Sequence, residues 1–157
     1  MADSTLTKIH IDLPLHWRAK GESLWAEALG SDLFRIRNIP FLAYDLNFAD
    51  VVRATPDAPD LKPEVREVVE RIGHRTFRVF FEETHAPESP ADLLKELNRH
   101  KAYFERATAA DFAIDVEPDG SYEDVYDQLI EWEEAGFLYF ETCGAREPGS
   151  FDDRPVH

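Results

Sequence analysis

From Arg75 onward the hydrophobic residues switch repeatedly between two spacings, and that alternation constrains the fold more tightly than any other feature of the chain. Phe77, Val79 and Phe81 recur at every second residue, the spacing of a strand with one buried face. Ser89-Pro90-Ala91-Asp92 then supplies a serine N-cap, a proline in the first turn and an acid beyond it. Leu93, Leu94 and Leu97 make the apolar stripe of the helix that follows, which runs to about Arg99. Residues 102–106 read as a short strand, and Phe112, Ile114 and Val116 alternate as a clearer one. Ser121-Tyr122-Glu123-Asp124 opens a second helix, Gly136 ends it, and 137–142 is the last strand. The order β-α-β-β-α-β predicts a ferredoxin-like lobe, with both helices covering one face of a four-stranded antiparallel sheet.

The first third of the chain has period-two runs and no helical pattern between them. Residues 7–13, 22–29, 32–38 and 50–54 read as short strands, with Gly30-Ser31 turning the second into the third. They predict a small N-terminal β-barrel or meander lobe, and the chain as a whole is of the α+β class. Three prolines in residues 55–64 mark a loop or lobe boundary. Val65, Val68, Val69 and Ile72 have helical spacing, but their β-branching and the following Gly73 favour a strand. The expected division is a β lobe over 1–62, a ferredoxin-like lobe over 63–145 and a flexible tail over 146–157. Eleven Phe and 43% hydrophobic residues suit a packed core. The single cysteine, Cys143, the absence of a signal-like start and the lack of a long apolar run lead us to expect a cytoplasmic protein with no membrane span.

Charge is distributed far less evenly than hydrophobicity. Residues 107–145 contain no Lys or Arg but eleven carboxylates, which carry −11 of the net charge of −15. Such a field repels phosphate backbones and anionic membranes and attracts basic proteins. On the second helix, Glu123, Asp127, Glu131 and Glu134 share one face, apart from the stripe of Tyr122, Val125, Leu129 and Trp132. On the strand before it, Asp111, Ala113, Asp115 and Glu117 fall opposite the core residues, on the sheet face that carries no helices. Tyr139, Glu141 and Phe80 are expected nearby. RNA-binding modules use that face with aromatics and cations, and here carboxylates stand where the cations would be. Nucleic-acid binding is therefore not expected.

Four blocks in fixed order carry a resemblance: Leu24-Trp25-Ala26-Glu27, Arg37-Asn38-Ile39-Pro40-Phe41 with Tyr44, Asp50-Val51-Val52, and Gly73-His74-Arg75-Thr76 with Arg78-Val79. Together they resemble a bacterial family catalogued as domain of unknown function 4265, over about residues 22–141. The resemblance implies a shared fold; it brings no reaction, cofactor or catalytic residue.

Chemical motifs are sparse. The six histidines are scattered, with no metal-ligand spacing, and Asp115, Glu117 and Asp119 lack the rest of a calcium loop, so no metal or cofactor is expected. Phosphate-cradling glycine motifs and nucleophile elbows are missing. In the Gly73–Thr76 block, Gly73 is expected to supply a turn conformation and Arg75 to reach a carboxylate. The function expected is non-enzymatic: an acidic protein-binding module that masks a basic surface of a partner, such as an immunity or antitoxin-type inhibitor of a toxin. The residues expected to contact the partner are Asp115, Glu117, Glu123, Asp127, Glu131 and Glu134. The alternatives are a small-molecule-sensing regulatory domain and an enzyme using the Gly73–Thr76 loop.

Overall fold

A computed structural model describes residues 5–82, 87–145 and 149–153. The described residues divide into two compact units, one drawn from Met1–Ile72 and Cys143–His157, the other from Gly73–Thr142.

In the first unit, β1 (Leu6–Asp12), β2 (Gly21–Gly30), β3 (Leu33–Ile36), β4 (Val51–Pro56) and β5 (Pro63–Glu70) pair in chain order, each antiparallel to the next. A parallel bridge between His10 and Glu64 brings β5 back beside β1. The period-two pattern does what it predicts: Ile9 and Ile11 of β1 and Leu24 and Ala26 of β2 turn inward and are buried with Ile36, Val52 and Leu46. The turn between β2 and β3 holds three successive residues at positive φ, Gly30 at 90°, Ser31 at 56° and Asp32 at 64°. Small and short polar residues tolerate that region best.

The family-like blocks of this unit prove to be structural. Glu22 points inward beside Leu24, and its carboxylate accepts the backbone N–H groups of Phe41 (2.7 Å), Leu42 (3.1 Å) and Ala43 (2.9 Å). Asn38 Oδ1 accepts the Trp25 N–H at 2.6 Å. These two side chains satisfy the backbone of an irregular segment that no strand could pair. His16 does similar work. Its Nδ1 accepts from the N–H groups of Arg18 and Ala19, so Nε2 carries the proton and donates to the Leu42 carbonyl at 2.8 Å.

Two expectations about boundaries need correction. Residues 63–70 belong to the first unit, because Pro63 and Glu64 pair with Pro56 and Thr55 of β4. Pro56 and Pro63 therefore sit at strand ends and Pro59 in the turn of a hairpin, and they do not separate lobes. Nor does the described part of the tail hang loose. Tyr44 N–H donates to the Phe151 carbonyl at 2.8 Å, Leu15 N–H to Asp152 at 3.0 Å, and the Phe151 ring packs against the core. The rest of the expected tail (146–148 and 154–157) lies outside the described residues.

In the second unit the elements are β6 (Arg75–Phe81), α1 (Pro90–Lys95) continued by a 3₁₀ turn (Glu96–His100), β7 (Ala102–Arg106), β8 (Asp111–Val116), α2 (Tyr122–Glu134) and β9 (Leu138–Thr142). The sheet order is β7-β8-β6-β9, with every neighbouring pair antiparallel. Phe77, Val79, Phe81, Phe112, Ile114 and Val116 line one face, and Leu94, Leu97, Val125, Leu129 and Trp132 of the helices close over them. Ser89 caps α1 as expected, accepting the Asp92 N–H. Ser121 does not cap α2 in that way; its hydroxyl donates to Asp124 at 2.7 Å.

Candidate functional site

The Gly73–Thr76 block lies where the second unit's chemistry concentrates. Gly73, at φ 109°, turns the chain into β6, as expected of that glycine. Beyond it, strand geometry sends alternate side chains to opposite faces. His74 reaches Asp115 on the face without helices, and Arg75 reaches α2 on the other.

On the α2 side, the Arg75 guanidinium lies 3.9 Å from the centre of the Tyr122 ring. The sequence led us to expect Arg75 against a carboxylate; a tyrosine face takes it instead, an attraction between cation and ring quadrupole. Arg75, Tyr122, Glu123, Tyr126 and Asp127 together line a shallow groove of about 420 Å³. Tyr126 packs edge-on against Phe140 with ring centres 5.7 Å apart, yet remains partly exposed. The groove thus offers one aromatic face backed by core packing and two carboxylates a helical turn apart.

Glu123 and Asp127 begin the acidic face of α2, and Glu131 and Glu134 extend it; all four are exposed. None of the four pairs with a Lys, Arg or His among the described residues. The last turn of α2 contains no base. Glu131 and Glu134 therefore sit at the negative end of the helix dipole with like charges one turn away, each effect costing a few tenths of a kcal/mol. The helix itself gains nothing from acids at these last two positions, whereas Glu123 in the first turn suits the dipole.

The other two expected residues lie elsewhere. Asp115 is buried on the opposite sheet face, with its two oxygens each 2.9 Å from His74 Nδ1. Burial pushes its carboxyl up to about 6; His74 opposes the shift, and Glu117 and Glu105 add to it. Glu117, just past β8, is half-buried. The six candidates accordingly do not form one surface: four share a helix face and two belong to the reverse side of the sheet.

That reverse side also differs from the open platform expected of it. The register aligns Thr76 with Asp115, Arg78 with both Ala113 and Glu141, and Phe80 with both Asp111 and Tyr139. Thr76, Arg78, Ala113 and Asp115 are buried, and Arg78 Nε donates to Glu141 at 3.1 Å. Phe80, Tyr103 and Tyr139 remain exposed near its margins.

Sequence reasoning missed a third grouping, in the first unit. His10 and Asp12 of β1 meet Glu64 of β5, with His10 Nδ1 2.7 Å from Glu64 and 3.5 Å from Asp12. The His-x-Asp spacing on a strand was a legible hint, since such residues share a face. Glu64 comes from a strand fifty-four residues on, and only the pairing of β5 with β1 reveals it.

The chain belongs to the family described as Domain of unknown function (DUF4265), which matches residues 22–140. No curated protein matches it. A crystal structure of a hypothetical protein from Neisseria gonorrhoeae is similar, with a TM-score of 0.74 at 20% identity, over 91% of this chain and 97% of that one. At that identity the likeness is one of fold.

Proposed function

We propose that this protein is a non-enzymatic, cytoplasmic binding module whose α2 face docks a basic segment of a partner protein. One observation carries the reading: Glu123, Asp127, Glu131 and Glu134 are exposed on one helix face, and none of them makes a salt bridge among the described residues, although Arg75 lies beside the first two. A face selected for solubility alone mixes both signs, because i,i+4 acid–base pairs stabilise a helix and like pairs do not. The groove at the start of α2, which Arg75 also lines, adds Tyr126 with Glu123 and Asp127 as contacts for a basic segment. An immunity or antitoxin-type inhibitor is the most concrete version. A nuclease toxin must be basic where it grips phosphate, and an acidic face both steers to such a surface and covers it. The same field argues against nucleic-acid binding.

In fold terms we read the first unit as a small barrel, supported by the bridge from β5 to β1, and the second as ferredoxin-like, supported by the sheet order β7-β8-β6-β9.

The test reverses Glu123, Asp127 and Glu131 to Lys. Co-purification from the native host identifies the partner, and stopped-flow association is then followed across a salt series. The reversal should slow association at least about tenfold at low salt, and wild-type association should itself slow as ionic strength rises. Before a partner is in hand, a lysine-rich peptide titrated into labelled protein should shift the amide resonances of α2 selectively. Equal association rates for wild type and reversal would end the proposal.

A further inference from the structure

We propose that His10, Asp12 and Glu64 form a zinc site that fastens β5 to β1. The three residues offer one imidazole nitrogen and two carboxylate oxygens, all within 4.8 Å of one another. Imidazole with carboxylate is a donor set suited to zinc, and less to magnesium or calcium, which prefer oxygen alone.

Geometry favours a metal in three ways. Ligands around tetrahedral zinc stand about 3.4 Å apart, given metal–ligand bonds of about 2.0–2.2 Å. His10 Nδ1 and Asp12 Oδ1 are already at 3.5 Å. His10 Nδ1 and Glu64 Oε1, now hydrogen-bonded at 2.7 Å, must part by roughly 0.7 Å as the proton between them leaves. Glu64 is pre-oriented. It is buried, and its Oε2 accepts the Asp12 backbone N–H at 2.6 Å, which turns Oε1 toward the imidazole.

The third argument is the space made for the imidazole. A Cβ on Gly21 would fall 2.6 Å from His10 Nε2. The backbone of Gly21 lies outside the left-handed region, so the glycine is used here for room and not for conformational freedom. The cleared room lets the ring lie across β2 with Nδ1 facing both acids.

Electrostatics agree. Neither carboxylate pairs with a Lys or Arg among the described residues. Arg66, the base close enough to feel both, is held by Asp57 at 2.6 Å and by Thr55. The cluster sets two carboxylates against one imidazole, and a divalent ion would offset their charge. Zinc also has a structural consequence: it would tie together the two strands joined by the parallel bridge at His10 and Glu64.

Chelator-stripped protein titrated with ZnCl₂ should bind one equivalent by calorimetry. At zinc about a hundredfold above Kd, the melting midpoint should rise by roughly 5–10 °C, because the ion binds the folded chain alone. Co²⁺ in place of Zn²⁺ should give the intense visible absorption of a tetrahedral site, and Mg²⁺ should give no thermal shift. His10→Gln should abolish the zinc response. Should that variant fold poorly, Asp12→Asn provides the check: its side chain is 65% exposed, so the fold survives while zinc affinity falls at least about tenfold. A wild type with no saturable zinc response, or one that titrates like both variants, would overturn the proposal.

Discussion

Asp50→Asn should convert a pH-dependent stability into a flatter one, by an amount the structure lets us work out. Asp50 is fully buried just before β4. Its Oδ2 accepts the Asn47 N–H at 2.9 Å and faces Arg71 Nη1 at 3.3 Å, and its Oδ1 is buried with no hydrogen-bond partner. Burial pushes the carboxyl from 3.8 up to about 6, against the Asn47 hydrogen bond and the Arg71 charge. A raised acid favours the folded state only while it is protonated. Its contribution is therefore complete below the unfolded value and disappears as pH rises through about 6. A displacement of about two pH units at about 1.4 kcal/mol each amounts to about 3 kcal/mol. Asparagine keeps an acceptor for Asn47 but brings an unpartnered N–H₂ group to the orphan side, at a pH-independent cost of about 1–3 kcal/mol. The variant should be the less stable protein near pH 4, and the deficit should shrink or reverse by about pH 7.5. Urea denaturation across that range measures it. The gap between the two midpoints should change by about 1–2 M for a urea slope in the usual range. Taking the difference between two proteins cancels the many other carboxylates they share. Parallel stability curves would refute the reasoning, and would mean that the orphan oxygen is solvated.

Two further substitutions probe the first unit. Gly21→Ala should cost about 1–3 kcal/mol by urea denaturation, and most of that should return in the double variant with His10→Ala, because the clash is with the imidazole. Glu22→Gln should cost about 2–4 kcal/mol in the same assay, since an amide cannot accept the three backbone N–H groups that the carboxylate holds.

Much of the fold was legible because the cues for it are local. Period-two spacing identified β6 and β8, Ser89-Pro90 opened α1, and Gly136, at φ 83°, closed α2. The boundary near residue 62 was misread because proline density signals a turn without saying whether the flanking strands pair with each other. They do, and Thr55 against Glu64 is a long-range fact that composition cannot carry. The tail was misread because it has no periodicity, and the docking of Phe151 rests on one ring meeting a distant core.

The candidate site divides along the same line between local and long-range information. The acidic face of α2 depends only on helical spacing, so four of its residues were found from the sequence and lie where expected. Asp115 lies on the expected sheet face but is buried there, because spacing gives the face of a strand but not what meets that face. A carboxylate on a strand can be a surface charge or half of a buried pair, and His74, forty-one residues away, decides which. His10, Asp12 and Glu64 carry the argument furthest, because β1 alone supplies a histidine and an acid with nothing to hold. Only the return of β5 adds the buried carboxylate that gives the cluster enough negative charge to bind an ion. A linear motif search is blind to such a site in principle, because its ligands are adjacent through strand pairing and not through the chain.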